Sequence, residues 1–265
     1  MTLYWIYDLP NWLFGILTVI VFNTIAIGGL YLTRPIVKRL LKGSSEHNDA
    51  VSWFFAAVGV FYGLAVGLIA IATWQDFTDA DALVGKEAAT LAGLYRDFDG
   101  YPAELHHQLE RELRAYAEEI VKVEWPAHRQ GLVPEQGTEL LDALENKIMA
   151  FEPKRESEKI SHTEVIRSLN DVVQARRGRM QAVKTGLPAE LWTVVLIGAV
   201  LNFLLLYLFW IDNRTLHVVL ISLFATLVGL LIFLTAAMDN PFRGQFSVAP
   251  DAIQAVIDSV MNPTT

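Results

Sequence analysis

Residues 51–74 read VSWFFAAVGVFYGLAVGLIAIATW, 24 residues without a charged side chain. An apolar helix needs only about 20 residues to cross a bilayer core, so this stretch is long enough to span one. Gly59, Gly63 and Gly67 recur in it at every fourth position, and Ala56 and Ala70 extend the row. Small residues at that spacing share one helix face and admit a second helix at close range, which is how helices associate in lipid. The other faces carry Phe54, Phe55, Phe61 and Tyr62. Two uses fit such a helix: a tightly packed member of a bundle, or the helix that lines a pore.

Three further apolar runs flank it at 12–32, 191–211 and 216–237, the last with His217 as its one titratable group. Soluble core helices rarely stay apolar on every face for this long. A charged fraction of 19%, a hydrophobic fraction of 53% and a mean hydropathy of +0.34 agree. The chain therefore reads as an all-α, polytopic membrane protein with four transmembrane helices. The first run has no Lys or Arg before it and no small-residue cleavage site after it, so it reads as a retained span rather than a leader. Cysteine is absent, which excludes disulfides and thiolate chemistry without choosing a compartment.

The domain reading follows. Residues 1–74 hold spans 1 and 2, and residues 191–265 hold spans 3 and 4 with a C-terminal tail. Residues 75–190 form a water-exposed helical bundle inserted between spans 2 and 3. That segment carries 22 acidic and 15 basic residues, nearly all of the chain's net charge of −8. From Gln75 to Phe98 the apolar residues repeat at three- and four-residue spacing, and no Gly or Pro separates them from span 2 near the join. One long helix is expected there. Further helices are expected from Pro102 to about Trp125, stopped by Pro126, then over 135–151, and from Ser157 toward Gly186. No stretch alternates with period two, so no strand is expected.

Orientation rests on the short loops. The segment 33–50 carries Arg34, Lys38, Arg39 and Lys42, whereas the N-terminal tail carries no basic residue. This places 33–50 in the cytoplasm and the termini and helical domain on the outer, periplasmic side.

The search for chemistry yields little. Glu104 with His107 makes one Glu-x-x-His pair, but a carboxylate-bridged di-metal bundle needs two. Glu158 and His162 are spaced four apart, so no metal site or cofactor is expected. Ser161, His162 and Glu164 offer no placed base or oxyanion hole, and no phosphate-cradling glycine pattern occurs. The chain is not read as an enzyme, and its acidic balance excludes nucleic acid as a partner. Arg176, Arg177 and Arg179 form the one basic cluster in the acidic domain, open either to helix-surface salt bridges or to a charged vestibule ring in an oligomer. Within the spans no Asp, Glu, Lys or Arg occurs, which argues against a proton-coupled pump but not against a channel gated by an apolar constriction. Asn23 and Asn202 are the most polar pore-lining candidates; each also suits an interhelical hydrogen bond.

Several motifs in order resemble the bacterial bestrophin-like family. They are Phe61-Tyr62-Gly63 followed by Trp74, Glu87-Ala88 with Leu94-Tyr95-Arg96, and Tyr116 with Glu124-Trp125. Arg177-x-Arg179 then precedes Leu187-Pro188 and Trp192, and Asp239-x-Pro241-Phe242-x-Gly244 closes the set. The resemblance implies four spans in the inner membrane, a homo-oligomer in the bilayer, and inorganic ions as permeants. True bestrophins are similar mainly in the second span, where a Phe-rich neck precedes a Phe-Tyr pair. Phe54, Phe55, Val58, Phe61 and Tyr62 match that neck. The termini of true bestrophins are cytosolic, opposite to the charge count, and no acidic calcium clasp is recognisable here, since Asp251 and Asp258 are too sparse. Two readings stand: an ion channel with span 2 as its constriction, or a non-conducting sensor or interaction protein working through its helical domain.

Overall fold

The computed structural model describes residues 4–40 and 45–262; Lys42, one of the basic residues that set the expected orientation, lies outside them. The described chain is helical, with no strand among those residues. Its main elements are α1 (Asn11–Leu40), α2 (Asn48–Asp97), α3 (Ala103–Glu119), α4 (Trp125–His128), α5 (Gln136–Met149), α6 (Glu156–Ala182), α7 (Ala189–Leu208), α8 (Arg214–Met238) and α9 (Asp251–Val256). Four of them, α1, α2, α7 and α8, are long and apolar enough to cross a membrane. At 1.5 Å per residue α2 alone is about 75 Å long, the single helix expected from its unbroken periodicity.

The chain divides into two compact units. The first holds residues up to Gln75, Gly186–Asp239 and Gly244–Phe246. In lipid, burying one apolar side chain against another gains little over burying it against acyl chains, so close backbone approach and hydrogen bonds must hold the spans together. Both are present. A Cβ on Gly229 of α8 would stand 3.2 Å from the Val19 Cα, so α1 and α8 meet through a glycine. Gly29 of α1 lies under the Tyr207 ring of α7, whose hydroxyl donates to the Ile25 carbonyl at 3.2 Å. At one end, the Asn48 amide donates to the Trp210 carbonyl at 2.9 Å and accepts from its N–H at 3.0 Å. Arg34 stacks over the Trp210 ring and donates to the Ile211 carbonyl at 2.9 Å. Helix α1 thus extends past the expected loop start at residue 33; Pro35 removes one helical N–H without ending the helix, and Val37 two residues on is buried.

The second unit holds Asp76–Thr185, Asn240–Arg243 and Ser247–Thr265. Its core interleaves Leu91, Leu94 and Phe98 of α2, Leu109, Leu113 and Tyr116 of α3, Leu144 and Ile148 of α5, and Val165, Leu169 and Val172 of α6. The residues after Phe246, read from sequence as a tail, are part of this core. Val248, Ile253, Ile257 and Met261 are all buried in it. The helix expected to stop at Pro126 instead continues to His128, because a π-helical segment, Ile120–Glu124, precedes the proline. A proline ring clashes with the carbonyl four residues back, and the wider π turn relieves that clash.

Candidate functional site

Helix α2 is the barest of the four spans: 6% of its apolar window is buried, against 33% for α8 and 28% for α7. Its packed side carries Phe55, Tyr62 and Val66. Phe55 meets Phe209 and Phe224 edge-on at 6.2 and 5.5 Å, and Val66 is buried among Val195, Ala199 and Val228. The opposite side is open. Phe54, Phe61, Leu64, Leu68 and Ile71 fall at three-, four- and seven-residue spacing, and all are exposed, Phe61 at 74%. The five apolar neck candidates therefore divide. Phe54 and Phe61 stand on the free face, while Phe55, Val58 and Tyr62 are half-buried. Gly63 and Gly67 have nothing within 4 Å of an added Cβ, and Gly59 has only the Asn202 amide at 3.8 Å. The glycine row thus lies along the flank of the free face and meets no helix of its own protomer at Gly63 and Gly67.

Asn23 and Asn202 engage neighbours inside the first unit. The Asn23 amide donates to the Val19 carbonyl and to the Thr226 hydroxyl, both at 3.0 Å, joining α1 to α8. Asn202 is fully buried and donates to Gly198 at 2.8 Å, while its Oδ1 has no partner.

A second constellation, inside the helical unit, was not foreseen. Arg179 of α6 is completely buried and donates to both carboxylate oxygens of Glu87 at 2.5 and 3.1 Å. It also donates to Glu124 at 2.8 Å and lies 3.4 Å from His128 Nδ1. Arg176 pairs with Glu124 at 2.7 Å and donates to the Tyr116 hydroxyl at 3.2 Å. The vestibule ring proposed for this cluster is therefore corrected for two of its members. Arg176 and Arg179 point into the core, where two buried carboxylates neutralise them, and only Arg177 is exposed. Burial pushes the Glu124 carboxyl up, but the charges and hydrogen bonds of Arg179 and Arg176 outweigh it and hold it below the usual range. Arg179 is desolvated too, yet Glu87 and Glu124 keep it firmly charged. Burial and the neighbouring Arg179 charge bring His128 down to about 4, so it is neutral at physiological pH.

Aromatic rings cover the ion cluster. Trp125 lies with its ring centroid 5.5 Å from Arg179 and donates to the Val248 carbonyl at 3.1 Å. Phe242 closes on Trp125 and His128 at 5.6 and 5.8 Å. In the first unit, Asp239 accepts from the Leu187 N–H at 2.5 Å and from the Trp192 indole at 3.2 Å. The residues that carried the sequence resemblance are thus largely the ones that tie helices together: Glu87, Tyr116, Glu124, Trp125 and Arg179 in one unit, Leu187, Trp192 and Asp239 in the other.

Comparison with known proteins agrees with this architecture. The family model described as a bestrophin-like domain matches residues 20–253. A structure of a bacterial bestrophin homolog from Klebsiella pneumoniae, carrying one mutation, superposes with a TM-score of 0.67 at 17% identity, over 93% of this chain and 97% of that one. Another structure of the Klebsiella homolog gives 0.65 at 18% identity, over 94% and 96%. A structure described only as a membrane protein gives 0.65 at 18% identity, over 96% and 98%. At these identities the likeness shows a shared fold. Among curated proteins none matches the chain.

Proposed function

The chain belongs to the bestrophin-like family, and on that premise we propose that it is a homo-oligomeric ion channel whose second span lines the ion path. The observation that carries the reading is the free face of α2, where Phe54, Phe61, Leu64 and Leu68 are exposed in the protomer. Rings of such side chains around a symmetry axis make a constriction that dewets, which can stop ions without using a charge. The glycine row flanking that face supplies a place for a neighbouring copy's helix to approach closely. The Klebsiella structures are of a bacterial bestrophin homolog, and the fold shared with them supports the channel reading. Asn202, buried behind Gly59, belongs to the helix packing that supports the lining rather than to the lining itself.

The test is single-channel recording from purified protein in planar bilayers, with asymmetric potassium chloride. Discrete openings are expected, and the reversal potential assigns cation or anion selectivity. Silence from a verified, homogeneous oligomer refutes the channel and leaves the sensor reading.

The location proposed is the bacterial inner membrane, with the termini and helical domain on the periplasmic side. Since the chain has no cysteine, a single Leu132→Cys, at an exposed loop position, is a clean reporter. Labelling of intact cells by a membrane-impermeant maleimide is expected. Labelling only after lysis reverses the orientation.

A further inference from the structure

At the start of α3, His106 and Glu110 are spaced four apart and His107 and Glu110 three apart, so one carboxylate faces two imidazoles. The His106 Nε2 lies 3.1 Å from Glu110 Oε1, and the His107 Nδ1 lies 3.2 Å from Glu110 Oε2. All three donor groups fall within 4.8 Å of one another. Asp99, on the short 3-10 turn Phe98–Gly100, brings Oδ1 to 3.6 Å from the same His106 nitrogen. We propose that His106, His107 and Glu110, with Asp99 as a fourth donor, form a binding site for a divalent transition cation of the zinc type.

Three features favour a cation over a hydrogen-bonded surface cluster. The spacing is right: ligands about 2.0–2.2 Å from a tetrahedral zinc stand roughly 3.3 Å apart. The His106 Nε2 is sunk below the surface and, although 3.1 Å from Glu110, makes no aligned hydrogen bond. A nitrogen and a carboxylate oxygen that are close but not aimed at each other stand as two ligands of one ion do. The outer support is also built. The Tyr95 phenol stands beside the Glu110 carboxylate. Partners that orient a ligand in this way raise metal affinity. Asp99 and His107 are open to water, giving the ion a way in. Two imidazoles select zinc, nickel, cobalt or copper over magnesium and calcium, which take oxygen donors.

The test uses full-length protein in detergent, with any polyhistidine tag removed and trace metal stripped by a chelator. Zinc chloride titrated calorimetrically is expected to bind once per protomer. Cobalt in its place is expected to show the visible absorption of a tetrahedral N/O site. His106→Ala with His107→Ala is expected to weaken that site by at least about 100-fold, and Tyr95→Phe by roughly 10-fold, the cost of an outer partner. Because His107 is exposed, His107→Ala alone preserves the fold and is the variant to rely on if the double one misfolds. No saturable zinc binding to the wild type overturns the proposal. So does unchanged stoichiometry and affinity in the His107→Ala protein.

Discussion

Arg179→Met tests the buried ion cluster most severely. Methionine keeps most of the volume but removes every guanidinium donor. Glu87 is left with the Tyr116 hydroxyl at 3.4 Å, and Glu124 with Arg176 at 2.7 Å. One carboxylate charge is then uncompensated in a site where Glu87 and Glu124 are both fully buried. Breaking a buried pair by removing one partner costs about 3–5 kcal/mol. For a unit of this size each kcal/mol lowers the melting temperature by roughly 2–4 °C, so a fall of about 6–20 °C is expected. Intrinsic tryptophan fluorescence in a thermal ramp reads it, since Trp125 stacks against Arg179. The variant also carries a pH signature of known sign. A stranded buried carboxylate has its folded-state pKa raised above the unfolded value, so its penalty is full at high pH and disappears as the pH falls through that raised value. The deficit against wild type therefore shrinks as the pH is lowered. A melting temperature within about 2 °C of wild type, or a deficit indifferent to pH, refutes the idea that this pairing holds α2 to α6.

Three further expectations can be checked directly. Phe61→Ala, on the free face of α2, is expected to raise single-channel conductance by widening the constriction while leaving protomer stability within about 0.5 kcal/mol; unchanged conductance removes Phe61 from the ion path. Gly63→Leu meets nothing in its own protomer, so it is expected to preserve the fold yet abolish oligomers in size-exclusion with light scattering; normal oligomers sink the packing role. His128 has a folded pKa near 4 against about 6.5 unfolded, so the unfolded state takes up its proton first and wild type loses about 3 kcal/mol as pH falls across that window. His128→Gln is expected to flatten that part of the pH–stability profile, and an identical slope in the variant rejects the assignment.

The spans were legible because lipid imposes a crude requirement, about 20 apolar residues without charge, that no other feature of this chain satisfies. The exposed face of α2 was only half legible. Aromatic content marked Phe54, Phe55, Phe61 and Tyr62 together, but which pair packs inward depends on where α7 and α8 bring Phe209, Phe224 and Gly198. The ion cluster left a signal that composition hid. In α6 the buried positions include Val165, Leu169, Val172, Arg176 and Arg179, an alternation of four and three that the two arginines simply continue; Arg177 falls off it and is exposed. In α2 the buried residues Ala80, Val84, Glu87, Leu91 and Leu94, among others, keep the same alternation through a glutamate. A charge in register with an apolar stripe predicts a buried pair. Which acid meets which base was not readable, because the partners Glu87 and Arg179 lie 92 residues apart.

Glu124 breaks the rule that exposes the others, and the break has a testable cause. Counting on from Leu109, Leu113, Tyr116 and Ile120, an unbroken α-helix would bury position 123. Val123 is instead 41% exposed and Glu124 is buried, because the π segment spends one extra residue in the turn. If that residue is only an insertion, taking it out should leave the cluster in place. Deleting the exposed Lys122 in a Pro126→Ala background converts the turn to α-geometry and sets Glu124, Trp125 and His128 back one position, onto the same face. The loss is then the Lys122–Glu118 surface pair, worth under about 1 kcal/mol. Deleting exposed Arg111 within α3 carries no such compensation. It turns every later residue by roughly 100° about the axis, swings Tyr116 and Glu124 off the core, and is expected to cost at least as much as Arg179→Met. Thermal melts of the two deletions side by side decide the matter. Equal destabilisation by both means the π turn is part of the site rather than a spacer before Pro126.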